Sequence, residues 1–145
     1  MIKQFEKLTN DERELLYNAP VLVSVLVSCS YKEVNKYQKA DAIKLAHLKT
    51  FTANPLLLPY YVEVEKTFKE RFDAAIKKYY PFDEVKRIEL KKEIDGVTRI
   101  IEKLDKEFAR TLHKSLDGYT KHVKKAGHSI FQDFIFPMPI PGLSD

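Results

Sequence analysis

Apolar side chains recur along most of this chain at intervals of three and four residues, the spacing of one face of an α-helix. Alternating strand patterns are scarce, and only four glycines are present. Three stripes carry the pattern. They comprise Tyr61, Val64, Phe68, Phe72, Ala75 and Tyr79; Val85, Ile88, Ile94, Val97, Ile101 and Leu104; and Phe108, Leu112, Leu116, Tyr119 and Val123. The pattern predicts an all-α fold, a compact single-domain bundle of five to six helices.

A different pattern, a nearly continuous apolar run, extends from Pro20 to Val27. A helix made of this run has large side chains on every side, so we expect it in the centre of the bundle. Thr9 and Glu12 have the spacing of a capping box and predict a helix start before the run. Because Pro20 lacks a backbone donor, the first helix either ends near Tyr17 or kinks into the apolar helix.

Prolines and capping residues predict the other boundaries. A helix spans about 35–52, buries Tyr37, and is stopped by Asn54-Pro55. The next helix begins at Pro59 and is broken by Pro81. Asp83 and Asp105 cap the last two helices, and Gly127 is the expected end of the final one. The predicted helical domain therefore covers 1–127.

Residues 128–145 depart from the helical pattern, because prolines occupy alternate positions 137, 139 and 141. Alternate prolines favour an extended, polyproline-like chain, so the sequence predicts an extended apolar tail. The tail either packs on its own bundle, docks on a partner protein, or exchanges with a neighbouring copy. The candidate partner-binding residues are Phe131, Phe134, Phe136, Met138 and Ile140.

Composition and charge narrow the class of protein. A length of 145 residues with 32% charged residues is typical of one globular domain. The single cysteine, Cys29, excludes an internal disulfide and fits a reducing compartment. With no signal-peptide pattern, and with an apolar run far short of the ~20 residues that span a bilayer, we expect a cytoplasmic protein.

The net charge of +4 raises the question of an anionic partner. Acidic residues are interleaved with the lysine pairs throughout the second half of the chain, a pattern typical of a solvated helix face. Nucleic acid is therefore not favoured. The alternative is contact with an anionic polymer or a membrane surface through Lys121, Lys124 and Lys125.

Catalytic chemistry is not indicated. The four histidines lack the spacing of a helical zinc site, and glycine-rich phosphate loops are absent. Cys29 follows an apolar helix, where the helix dipole and burial both raise a thiol pKa. The sequence predicts a protein that is not an enzyme, with no catalytic residue, no metal ligand and no cofactor.

Two short segments resemble a known family. Leu15–Val27, followed by the turn Ser30–Gln38, is similar to the start of the TerB-like domain of the tellurite-resistance TerB family. Ser115–Gly127 is similar to that family's late helix. The resemblance implies an all-helical domain with a stress-associated or membrane-associated scaffold role.

The turn also departs from the family pattern. Tyr31-Lys32 stands where the family has Asp-Gly, and Asn35 and Gln38 stand where it has Asp and Glu. Because hard divalent cations need several carboxylate oxygens, we expect no ion there. The predicted function is a non-enzymatic scaffold or protein-interaction domain of TerB-like type. The alternative is a divalent-ion site using the acids Glu33, Asp41 and Asp117.

Overall fold

The structure is a computed structural model that describes residues 2–135, with side chains described for residues 2–126. These residues form five α-helices, a two-stranded antiparallel hairpin and two 3-10 turns, which confirms the predicted all-α bundle. The helices are α1 (Asn10–Ser28), α2 (Lys36–Thr52), α3 (Leu58–Tyr79), α4 (Glu84–Ile101) and α5 (Lys106–Ile135). The hairpin strands are β1 (Cys29–Ser30) and β2 (Glu33–Val34), and the 3-10 turns are Lys3–Phe5 and Pro55–Leu57.

Helix α1 lies at the centre of the bundle and packs against the other four helices. Most of its apolar run is buried, since Val21, Leu22 and Val25 are at most 1% exposed, whereas Leu26 and Val27 near the end of the helix are half-buried. The capping box forms as expected, with the Glu12 amide donating to Thr9 Oγ1 at 3.1 Å and the Thr9 amide donating to the Glu12 carboxylate at 2.9 Å. An all-round apolar helix is thus stable because other helices cover every side.

Pro20 lies inside α1 without ending it, so the predicted helix end near Tyr17 is wrong. Pro20 has no amide hydrogen for the carbonyl of Leu16, four residues earlier. The buried Tyr60 hydroxyl donates to that carbonyl instead, at 2.6 Å. A side chain from α3 therefore replaces the missing backbone donor and allows α1 to continue.

Helices α2 and α4 both begin with side-chain caps, and the cap predicted at Asp83 is confirmed. Asn35 Oδ1 accepts from the Tyr37 and Gln38 amides, both at 3.0 Å, and Asp83 Oδ1 accepts from the Lys86 amide at 2.9 Å. Asp105 receives the amides of the first turn of α5. These side chains satisfy amides that a helix leaves unpaired at its start.

The stripe predicted for α3 is buried throughout, whereas the stripe predicted for α4 is wrong at its beginning. Val85 is 64% exposed and Ile88 is 48% exposed, while Leu90 is 1% exposed. At about 100° per residue, Val85 and Ile88 lie far around the helix from Leu90 and Val97, which face the core. Tyr37, also expected inside, is 46% exposed.

Helix α5 continues through Gly127 to Ile135, so the predicted helix end at Gly127 is wrong. A glycine inside a helix costs about 1 kcal/mol but does not stop it, and the next proline is Pro137. The first eight residues of the predicted extended tail are therefore helical. Residues 136–145, and the side chains of all five candidate partner-binding residues, lie outside the described part of the chain.

Candidate functional site

The hairpin between α1 and α2 is fixed to the connection between α3 and α4. Cys29 pairs with Val34 and Ser30 with Glu33, which leaves Tyr31 and Lys32 as a two-residue loop. The Lys32 amide donates to the Pro81 carbonyl at 3.0 Å. The Arg87 guanidinium donates to the Cys29 carbonyl, also at 3.0 Å. Two backbone segments that are distant in sequence are thereby held together.

Lys32 has a φ of 58°, a backbone conformation that favours glycine. A positive φ at the second loop residue is the requirement of a type II turn. The hairpin therefore adopts a glycine-type turn with a lysine in the glycine position.

A pocket of about 650 Å³ opens beside this hairpin, and we call it the hairpin pocket. Four parts of the fold supply its walls: the end of α1, the hairpin, the α3–α4 connection with the first turns of α4, and α5. The lining residues are Leu26, Val27, Cys29, Ser30, Tyr31, Phe82, Asp83, Glu84, Arg87, Lys91 and Lys124. Such a volume accommodates one or two side chains of a partner or a small molecule.

The walls of the hairpin pocket divide into an apolar part and a basic part. Leu26, Val27 and Phe82 form the apolar part. Arg87 and Lys91 from α4 and Lys124 from α5 form the basic part. Within the part of the chain whose side chains are described, these three cations form no ion pair.

The acidic side chains of the pocket do not balance these cations. The Asp83 carboxylate is engaged as the cap of α4, where it accepts the Lys86 amide. Glu84 is the other acid in the wall, and it is exposed. With three cations and two carboxylates in its lining, the hairpin pocket carries a net charge of +1 beside an apolar wall.

The surface around the pocket is unusually rich in exposed aromatic and aliphatic side chains. Seven large apolar or aromatic side chains are exposed in the described part of the chain, and five of them lie at the hairpin end of the bundle. They are Tyr31, Tyr37, Tyr80, Val85 and Ile88. Tyrosine and arginine are the residues that most often dominate protein interfaces, so this composition is typical of an interaction surface.

Cys29 is part of the wall, but its thiol is not activated. Burial raises the pKa of the Cys29 thiol, and this effect outweighs the opposing influence of the Ser28 hydroxyl, 3.7 Å away, and of Arg87. A thiol with a raised pKa is protonated at neutral pH, and the thiolate is the nucleophilic form. Cys29 therefore acts in the pocket as a small apolar residue, as the sequence predicted.

A second cleft, of about 620 Å³, lies between α1, α3 and α4, and four of its six charged side chains form two ion pairs. Arg71 contacts Glu14 at 2.6 Å, and Lys78 contacts Glu93 at 3.3 Å. The Tyr79 hydroxyl also donates to Glu93; burial, and then this contact, raise the pKa of Tyr79, so it remains a donor. Glu89 pairs with Lys86 outside the lining, which leaves Asp11 as the one charged side chain of this cleft without an ion pair among the described residues. The hairpin pocket, with three unpaired cations beside an apolar wall, is therefore the better candidate for a site.

The other residues singled out by sequence occupy separate places. Asp41 contacts His122 at 2.8 Å, Asp117 contacts Lys121 at 2.9 Å, and Glu33 lies on β2. Among the described residues, no group of three or more His, Cys, Asp or Glu is arranged to hold a metal ion. Lys121 is paired, Lys125 is exposed, and of the three candidate lysines only Lys124 lines the hairpin pocket.

Five residues that line the hairpin pocket were not predicted as site residues from the sequence: Leu26, Val27, Phe82, Arg87 and Lys91. The spacing of four between Arg87 and Lys91 places them on one side of α4, a signal present in the sequence. Nothing in the sequence indicates that this side of α4 meets the hairpin and α5.

Comparisons with models of known protein families, with curated proteins and with solved structures found no match. Within residues 2–135, none of the helices combines the length and the apolar character needed to cross a membrane.

Proposed function

We propose that this protein is a non-enzymatic protein-interaction domain of TerB-like type, and that it binds a segment of its partner in the hairpin pocket. The observation that carries the proposal is the hairpin pocket itself, a cavity with an apolar wall, three cations and the exposed Tyr31 in its lining. An apolar pocket with an aromatic and basic margin is the usual composition of a hot spot at a protein interface.

The turn geometry supports the TerB-like part of the proposal. At the position where the family has the glycine of Asp-Gly, this chain has Lys32 with a φ of 58°. A lysine in the left-handed region costs roughly 1–2 kcal/mol relative to the ordinary helical conformation. A backbone that keeps the glycine conformation without the glycine is consistent with descent from a glycine-containing turn. The stress-associated role implied by the resemblance is part of the same proposal.

The chemistry of the pocket supports binding rather than catalysis. Its thiol is protonated at neutral pH, and Arg87 is engaged with the Cys29 carbonyl. Asp83 is engaged as a helix cap. The remaining ionisable groups are the exposed Glu84, Lys91 and Lys124, which are suited to contacts with a partner.

The experiment is selection of peptides from a random decapeptide display library on the full chain, followed by affinity measurements on matched variants. Tyr31→Ser removes a 61%-exposed aromatic side chain at the pocket. The control, Phe51→Ser, removes a 62%-exposed aromatic side chain near the far end of α2, about 24 Å along the helix from Asn35. We expect Tyr31→Ser to weaken the selected peptides about tenfold and Phe51→Ser to leave them unchanged.

Two outcomes contradict the proposal. One is a library selection that enriches no peptide on the full chain. The other is a set of peptides whose affinity falls equally, or not at all, in the two variants, because such peptides bind elsewhere.

A further inference from the structure

The charges of the hairpin pocket define the chemistry of its occupant, and this inference rests on the proposed function. We infer that the partner segment is an acidic peptide in which a large apolar residue lies next to aspartate or glutamate. The apolar residue occupies the wall formed by Leu26, Val27 and Phe82. The acidic residues contact Lys91 of α4 and Lys124 of α5, which both line the pocket.

The positive charges that line the hairpin pocket outnumber the negative ones. Arg87 and Lys91 from α4 and Lys124 from α5 line one cavity, and none of the three forms an ion pair with another described side chain. Glu84 is the acid of the pocket that is not engaged as a helix cap. With three cations against the carboxylates of Asp83 and Glu84, the lining has a net charge of +1, which favours the entry of a carboxylate.

The apolar wall of the hairpin pocket is only partly covered by the protein itself. Leu26 and Val27 are only half-buried, although they belong to the most apolar helix of the protein. Phe82 is 2% exposed and fixes the back of the wall, and its ring packs against Tyr80 at a centroid distance of 6.0 Å. Covering Leu26 and Val27 with an apolar side chain is favourable because it removes their remaining surface from water.

The charges of the hairpin pocket favour a peptide over a nucleic acid as its occupant. A strand of nucleic acid needs a groove of cations along its phosphates and flat faces for its bases. Here three cations share one pocket with the carboxylates of Asp83 and Glu84, and Lys121 on the neighbouring turn of α5 is paired with Asp117 at 2.9 Å. The arrangement fits one or two carboxylates beside an apolar anchor better than a row of phosphates.

The test uses the full chain and the same decapeptide library. We expect the enriched peptides to contain Asp or Glu next to Leu, Ile, Met or Phe. Replacing their acids by Asn and Gln is expected to weaken binding about tenfold, as is the double variant Lys91→Glu with Lys124→Glu. The control double variant, Lys44→Glu with Lys114→Glu, makes the same change of net charge at exposed sites outside the pocket lining and is expected to bind normally.

Each contrary outcome points to a different failure. Peptides that are sensitive to Tyr31→Ser but indifferent to their own acids and to Lys91 and Lys124 overturn this inference and leave the proposed function standing. Peptides that are insensitive to Tyr31→Ser overturn both. Oligothymidylate that binds the chain more tightly than the peptides, with the same dependence on Lys91 and Lys124, would assign the basic part to a phosphate polymer instead.

Discussion

Removing the hydroxyl of Tyr60 tests how α1 tolerates a proline in its interior. Tyr60 is completely buried, and burial raises its pKa well above the ordinary value, so the phenol keeps its proton and donates to the Leu16 carbonyl at 2.6 Å. The substitution Tyr60→Phe keeps the ring and its edge contacts with Phe5 and Tyr61. It leaves a buried carbonyl without a donor, because Pro20 has no amide hydrogen. We expect the free energy of unfolding to fall by about 2 kcal/mol.

The chain contains a matched control. Tyr119 is also completely buried, and its hydroxyl donates to the carbonyl of Ala42 in α2 at 2.5 Å. Four residues after Ala42, Ala46 has a backbone amide, so Ala42 has a donor inside its own helix. Tyr119→Phe is therefore expected to cost about 1 kcal/mol, less than Tyr60→Phe. Urea unfolding followed by circular dichroism measures both values, with unchanged m values expected.

A double-mutant cycle isolates the cause. Pro20→Ala supplies a backbone amide to the Leu16 carbonyl, so Tyr60→Phe is expected to cost about 1 kcal/mol less in that background. The packing change at position 20 cancels in the cycle. The reasoning is refuted if Tyr60→Phe costs no more than Tyr119→Phe, or if its cost is the same with proline and with alanine at position 20.

Two further predictions concern the turn and the first cap. Lys32→Gly is expected to stabilise the protein by about 0.5–1 kcal/mol, because glycine adopts a positive φ without strain. The melting temperature is expected to rise by about 2 °C. The control Lys92→Gly, at an exposed position inside α4, is expected to destabilise the protein by a similar amount. The Glu12 carboxyl has a lowered pKa, mainly because Lys103 donates a hydrogen bond to it. The ionised carboxylate therefore stabilises the fold above the ordinary pKa of glutamate, and this stabilisation is lost as the pH falls through the lowered pKa of Glu12. Glu12→Gln is therefore expected to flatten the loss of stability in acid, measured by urea unfolding as a function of pH; an unchanged acid limb would contradict this assignment.

The sequence predictions that failed were based on the preferences of neighbouring residues, which contacts between distant parts of the chain override. Pro20 was expected either to end the helix near Tyr17 or to kink it. The helix end is wrong, because Tyr60 from α3 donates to the carbonyl that Pro20 leaves without a donor. Val85 and Ile88 were assigned to the core because they continue an apolar spacing, yet Leu90 and Val97 determine which side of α4 faces inward. Gly127 was expected to end α5 because glycine favours helix ends. The helix instead continues to Ile135, and the next proline along the chain is Pro137.

The sequence by itself determined the helical class, the caps at Thr9, Asp83 and Asp105, and the central position of α1. Each follows from contacts between residues close in the chain or from the periodicity of one segment. The hairpin pocket was decided only by the tertiary structure. Its cations and its apolar wall come from four parts of the fold, and no local pattern encodes which faces of α1, α4 and α5 meet. Periodicity indicates that a helix has an inner side, whereas packing alone determines what that side faces.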